Sequence, residues 1–415
     1  MTKGLMKNKG YMTLMTAQTI SSMGDWLSII AVITLVGLKW EGTPLQMSMI
    51  ILSLALPMAL FGPFAGAVAD RLERKALMII SDVFRGLLIL LLTIANTVWL
   101  VYITLFLVGI FSSVFVPAKN GKLKELVGED SIKGAMSFTS MIDSSTKIIG
   151  PLLSGILVTS FGAYQVFIID SASFFLSAIL ILFLPKGERA NKNVSTTTES
   201  SFRKELAQGF HFIKSSAFLL SGLFLLTISL LIVQLTDSQI IVLLRELTNA
   251  SPDLFGYAVT CSGLGMLLTG IVLTKKTDYN SFVYMVIGVF GIGFSFGSLA
   301  VFTYYDVELN ILWVPFFALI AGLASGLGFI PFQAAVQTET PVHMTGRVFG
   351  VINSMTTIAT IAGPLLGGLL ATLIGVIEAF IITSSFLIVL SLIAFLLKNK
   401  LERRGPVVTE SKQRA

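Results

Sequence analysis

The chain has 415 residues, of which 54% are hydrophobic and only 13% charged, with 29 Lys and Arg against 23 Asp and Glu. A soluble domain carries about 25% charged residues, so a chain this apolar would expose large apolar patches in water. A soluble enzyme, a nucleic-acid binder and a disordered chain are therefore excluded, and the lone cysteine, Cys261, leaves no internal disulfide.

The N-terminus, Met1 to Tyr11, is short and basic and leads into a long apolar stretch with no small-residue cleavage site, so it reads as the start of a first membrane span. A helix crosses the hydrocarbon core with about 20 mostly apolar residues. Such runs fall near 11–37, 45–69, 77–96, 98–118, 135–160 and 164–185, then near 217–244, 254–274, 280–303, 309–336, 347–373 and 376–397. The ten-residue alternation of a β-barrel is absent. The expected fold class is an all-α membrane protein of twelve transmembrane helices.

An even number of spans puts both termini on one side. Of the 29 basic residues only Lys39 and Arg245 fall on the other side, and Arg85 and Lys147 fall within spans. Positive charge marks the cytoplasmic face, so both termini are expected in the cytoplasm of a multi-pass protein of the cell membrane. The net charge of +6 thus reports topology and not nucleic acid.

Between spans six and seven, Lys186 to Ser216 form the longest polar interruption, with a Ser/Thr tract at 195–201. Phe202, Leu206, Phe210 and Ile213 then recur at helical spacing beside Arg203, Lys204 and Lys214. This segment reads as a basic amphipathic helix on the inner leaflet, and equally as a solvated tether. The organisation expected is an N-terminal half (1–185), a linker (186–216), a C-terminal half (217–398) and a tail (399–415).

An internal repeat supports the two halves. Residues 150–173 align without gaps on 363–386, so that Gly150-Pro151-Leu152-Leu153, Gly155, Thr159, Gly162 and Phe167-Ile168-Ile169 all recur. Gly363 and Pro364 open the second copy. Repeats of this kind place a substrate site at their interface near the midplane. In the same register Asp143 faces Thr356, Lys147 faces Thr360 and Asp170 faces Thr383. The first half carries charges where the second carries threonines, which points to ion coupling and gating in the first half.

Ionisable groups within a span cost about 2.5–3.5 kcal/mol on insertion scales and mark a pathway or a pair. Asp25 is the sharpest candidate, because Gln18, Ser21, Ser22, Asp25 and Ser28 form one polar stripe at helical spacing. It reads as a site that takes up and releases protons, an anchor for a cationic substrate, or a buried structural acid. Asp143 and Lys147, one turn apart, read as a coupling site or a local ion pair. Asp170 reads as a hydrogen-bonded contact between helices, and Gln234 with Asp237 as cavity residues. Asp82 and Arg85, one turn apart and placed near the inner surface, read as a structural pair. Glu378 reads as solvated at a helix end. His211 and His343 lie outside the spans, and neither a metal nor a cofactor is expected.

After span two the string Gly62 to Lys75 resembles the signature loop of the major facilitator superfamily, matched at Gly66, Asp70, Arg71, Arg74 and Lys75, with Glu73 in place of the family's second glycine. The resemblance covers the whole chain and implies the twelve-helix fold in two pseudo-symmetric halves. It further implies that this cluster latches the outward-open state, with glycines that let spans two and eleven approach. Gly150-Pro151 and Gly155 resemble the end of the family's antiporter motif, a reading that Gly363-Pro364 weakens, since a packing device would also be duplicated. Gly24-Asp25-Trp26, Asp82 with Arg85-Gly86, and Thr340-Pro341 with Gly346-Arg347 are most similar to the macrolide-efflux and enterobactin-exporter group of drug:proton antiporters. Pro117 to Gly121 is instead similar to bacterial lysophospholipid transporters, and the arginine of many antiporters in span four is absent.

The expected function is therefore export of a small amphipathic drug-like or natural-product compound by alternating access in a bacterial plasma membrane, with protons as the coupling ion, membrane lipids as neighbours and a monomer as the working unit. A lipid or lysolipid flippase, a siderophore exporter and a non-transporting scaffold are the alternatives.

Overall fold

Hydrocarbon offers no hydrogen-bond partner, so each crossing segment must satisfy its backbone internally, and long helices are the local answer. The computed structural model describes residues 7–127, 132–185, 199–251, 253–275, 279–341 and 344–398. The helices are α1 (Lys9–Thr34), α2 (Pro44–Arg71), α3 (Arg74–Leu91), α4 (Val98–Leu126), α5 (Ile132–Phe161), α6 (Ala163–Leu182) and α7 (Glu199–Ser215). They continue with α8 (Ala217–Asp237), α9 (Ile240–Arg245), α10 (Leu254–Lys275), α11 (Ser281–Tyr304), α12 (Asn310–Glu339), α13 (Thr345–Ile374) and α14 (Val376–Leu396). Twelve segments are long and apolar enough to cross a membrane, with α8 and α9 together forming one of them.

Side chains set where several helices begin. Asn8 accepts the Tyr11 N–H at 3.1 Å, and Thr43 with Gln46 forms a capping box ahead of Pro44. Thr97, Ser216 and Asn280 cap α4, α8 and α11 in the same way. Gly162 (φ 80°) and Gly375 (φ 100°) are the only glycines with positive φ among the described residues, and each links two helices at the same position of the repeat.

The packing has an approximate twofold pattern. In the first half α1 packs on α5 and α6, α2 on α4, and α3 on α4 and α6. In the second half α8 packs on α13 and α14, α10 on α12, and α11 on α12 and α14. The halves meet through two equivalent seams, α5 against α10 and α2 against α13. The same glycine of the repeat serves each seam: Gly155 lies against Gly256 and Thr260, and Gly368 against Ser48 and Pro44, where a Cβ would collide.

These contacts lie toward the end away from the termini, here the far end. Toward the terminal end Gly62, Gly66 and Gly328 face open space. The α2–α13 seam therefore touches at the far end and is open at the terminal end, while the α5–α10 seam continues to Ile148 against Gly270. The close approach of spans two and eleven expected at Gly62 and Gly66 is made instead at Ser48 and Gly368, because this conformation is closed at the opposite end.

Two segments differ from the sequence expectation, and a third forms the expected helix with a packing partner the sequence did not announce. The α4 helix runs past Pro117 to Leu126 and carries Lys119 and Lys122 into the bundle, 8% and 1% exposed, where a terminal-side loop was expected. The seventh span is broken at Ser238 and Gln239. The linker helix α7 packs on α13, with Gly209 against the Arg347 carbonyl. Residues 186–198, His343 and the tail 399–415 lie outside the described residues.

The linking glycines give a test of the backbone assignment. Gly375→Ala forces a side chain into a region open almost only to glycine, at a cost of about 1–3 kcal/mol. Gly328→Ala, in open space within a helix, should gain about 0.5–1 kcal/mol. Thermal unfolding in detergent should move in opposite directions for the two variants.

Candidate functional site

The first half encloses a polar network on four helices. Arg85 of α3 is 2% exposed and has Asp82 as an ion-pair partner one turn away. It also donates to the Ser21 hydroxyl of α1 at 3.1 Å and lies 3.6 Å from the Asp25 carboxylate. Its guanidinium carbon stands over the rings of Phe174 (4.4 Å) and Phe115 (4.6 Å), from α6 and α4. Two π faces and matching carboxylates let a cation persist in this setting. The Ser177 hydroxyl donates to Asp82 at 2.6 Å, while the buried Arg85 Nε is left without a hydrogen-bond acceptor among the described residues. The Asp82–Arg85 pair thus lies in the bundle interior and not near the inner surface, because α3 places Arg85 midway along its length.

Asp25 sits at the edge of this network. Its side chain is 48% exposed although α1 runs through the bundle, so its open half faces interior space. The string Gly24-Asp25-Trp26 has a contact for each member. Gly24 leaves room for the Asp170 carboxylate and the Ser173 hydroxyl, and Trp26 fills the space over Gly150. Asp170 is fully buried and accepts the hydroxyls of Ser28 and Ser173, which joins α1 to α6.

Asp143 accepts the Gln18 amide at 2.6 Å, while Lys147 is exposed with its Nζ 5.7 Å from the Phe329 ring centre. The local Asp143–Lys147 pair that the spacing suggested is not formed, since each side chain is drawn to a different helix. In the second half Gln234 packs against Gly363, and Asp237 is exposed at the break of the seventh span. Pro151 and Pro364 lie inside α5 and α13 at equivalent positions.

The basic residues after span two hold the first half together at its terminal end. Arg74 donates to Glu125 at 2.8 Å and lies against Gly121, while Lys75 binds the carbonyls of Leu182 (2.8 Å) and Leu184 (2.7 Å) at the end of α6. Arg71 is exposed, and the Asp70 side chain lies outside the described residues. Cations at a helix C-terminus are electrostatically favoured. Among the described residues no three His, Cys, Asp or Glu side chains converge as metal ligands.

Sequence reading missed the central place of Arg85 and the burial of Lys119. An arginine within an apolar run was the available signal for the first. For Lys119 there was none, because hydropathy ends a span where lysines begin.

The sequence profile of the Major Facilitator Superfamily matches residues 14–363 and 228–415. The uncharacterized MFS-type transporter YfiS of Bacillus subtilis is 40% identical over 416 residues, covering 100% of both chains. Macrolide efflux protein A of Streptococcus pyogenes is 23% identical over 392 residues, 92% of this chain and 94% of that one. Multidrug resistance protein MdtG of Escherichia coli is 25% identical over 372 residues, covering 88% and 85%. Among solved structures, a peptide transporter POT superposes with a TM-score of 0.70 at 14% identity over 95% of each chain. The nucleoside transporter NupG gives 0.68 at 13% identity, covering 94% of this chain and 99% of that one. At such identities the structures share the fold alone.

The Arg85 network predicts a non-additive mutant pair. Arg85→Gln leaves Asp82 buried without its cation and should cost about 3–5 kcal/mol. Adding Asp82→Asn should recover a large part of that loss, as measured by thermal unfolding of the purified single and double variants.

Proposed function

The chain belongs to the Major Facilitator Superfamily, and from that premise we propose that it exports small amphipathic compounds, drug-like or natural products, in exchange for protons. In this reading it works by alternating access in a bacterial plasma membrane with both termini in the cytoplasm. The terminal end is then the cytoplasmic mouth, and the conformation described above is open to the cytoplasm. The far-end seams at Gly155 and Gly368 are the contacts that must part for release.

The observation that carries the coupling is Asp25, a carboxylate half open to the interior and 3.6 Å from a buried guanidinium. A proton on Asp25 removes its attraction for Arg85, while Asp82 keeps the cation neutralised, so the network survives both states of the site. Asp237 is an exposed acid of the second half at the break of the seventh span, and Asp143 is held by Gln18. The efflux reading draws support from the relatives named macrolide efflux and multidrug resistance proteins. The string Pro117 to Gly121, which suggested a lipid substrate, has a local explanation in this fold, since Gly121 makes room for Arg74.

In proteoliposomes an inward-directed substrate movement should accelerate when a pH gradient drives protons in the opposite direction. Asp25→Asn should abolish that acceleration while leaving substrate binding measurable. Transport indifferent to the gradient would overturn proton coupling, and wild-type gradient dependence in Asp25→Asn would overturn the role of this residue.

A further inference from the structure

The break in the seventh span creates a separate short element. The α8 helix ends at Asp237, Ser238 and Gln239 form a turn, and α9 covers Ile240–Arg245. Ile241, Val242, Leu243 and Leu244 are all buried, so α9 is a packed piece and not a frayed end.

Polar side chains at both ends of this piece cross to the other half. At its start Gln239 Nε2 donates to the Pro44 carbonyl at 3.0 Å and the Ser48 hydroxyl at 2.9 Å. At its end Arg245 Nη1 donates to the carbonyls of Gly37 and Gly42, both at 3.0 Å. Gly37 packs directly against Ile241, leaving no room for a Cβ. These carbonyls lie at the C-terminal end of α1, where the last turn widens into a π-helix at Leu35–Lys39 closed by Trp40 N–H to Leu35 and Gly42 N–H to Val36. Carbonyls at such an end are short of helical donors and carry the negative pole of the helix. Arg245 therefore serves as a C-terminal cap for a helix of the opposite half.

The loop behind α9 is fastened within its own half. The Thr248 hydroxyl and backbone N–H donate to Asp306, which holds that carboxyl below its usual range, and Asn310 donates to the Asn249 carbonyl at 3.1 Å. The cap consequently travels with the second half, and any rotation of the halves that opens the far end must withdraw it.

We infer that Arg245 and Gln239 are positioning residues that hold the terminal-end-open state, Arg245 by capping the Gly37 and Gly42 carbonyls at the end of α1 and Gln239 by binding α2 at Pro44 and Ser48. The inference rests on the alternating-access part of the proposed function and not on the identity of the substrate or the coupling ion. Its gain is specific: loss of the clamp favours the far-open state without removing any group proposed to take up protons.

The test is electron–electron spin resonance distance measurement on the full chain in nanodiscs, without substrate, in a Cys261→Ser background. One label pair, Asn96→Cys with Asn249→Cys, spans the far end, and another, Lys124→Cys with Thr338→Cys, spans the terminal end; all four positions are exposed. Arg245→Gln should raise the ratio of far-open to far-closed molecules by about tenfold or more, the scale of a lost charged hydrogen bond. The far-end distances should lengthen as the terminal-end distances shorten. Arg245→Lys, which keeps a cation for the carbonyls, should lie between wild type and Arg245→Gln, and Gln239→Leu should shift both pairs in the same sense. Unchanged distributions, or lengthening of both pairs together, would overturn the clamp. Since no substrate or gradient enters the measurement, a failed transport assay with the reciprocal shift intact refutes the cargo or the coupling and leaves the clamp standing.

Discussion

A guanidinium inside hydrocarbon is tolerated only if charge, hydrogen bonds and polarisable surface are supplied around it, and much of the first half is arranged to do this for Arg85. Asp82, Asp25 and Ser21 meet its edge, while Phe115 and Phe174 cover its faces. These groups come from α1, α3, α4 and α6, so satisfying one side chain fixes four helices in relation to one another. The second half has no equivalent hub among the described residues. At the position equivalent to Asp170 stands Thr383, whose hydroxyl is satisfied by the Ala379 carbonyl one turn back in its own helix. Thr356 and Thr360 do the same with Ile352 and Thr356. A threonine closes its hydrogen bond locally, whereas a carboxylate recruits a neighbour, and this explains why two halves with one topology differ in polar cross-linking.

The seams between the halves obey a different constraint. Without a hydrophobic drive between helices in lipid, close approach of small residues supplies the contact. Gly155 and Gly368 occupy equivalent repeat positions, and each admits backbone or a short side chain from the opposite half. A pair of seams related by approximate twofold symmetry lets both open or close together about a common axis. With the far end packed at these glycines, the terminal ends of α2 and α13 are held apart, which is why a Cβ at Gly62 or Gly66 would meet open space among the described residues.

Twelve spans and the repeat were legible because apolar length and the recurrence of Gly150-Pro151 are local properties of the chain. The motif glycines were legible as small residues but not as to which pair is engaged, since that depends on the state of the whole molecule. Hydropathy also hides the length of α4: Lys119 and Lys122 end an apolar run, yet helix propensity and burial carry them inward, and Lys122 finds Glu125 at 2.7 Å. The clamp of Arg245 on Gly37 joins residues 208 positions apart, and no spacing rule announces a pairing between a side chain and a backbone carbonyl. For Asp143 and Lys147 the helical spacing was correct, but each side chain had a better partner on another helix. Local geometry permits such a pair; tertiary competition decides whether it forms.

One helix connects these features. Along α1, Gln18 holds Asp143, Asp25 faces Arg85, Ser28 holds Asp170, and the end at Gly37 receives Arg245 from the other half. Its first three contacts lie within the first half and its last one bridges the halves. In the proposed function a change of charge at Asp25 alters how firmly the middle of α1 is drawn toward α3, and the helix runs on from there to the π-helical turn that receives Arg245. Coupling of this kind needs an element with two discrete arrangements that both sites bias. In the proposed cycle the capped and uncapped states of α1 are those arrangements, so that protonation in the bundle and opening at the far end act on the same piece of backbone.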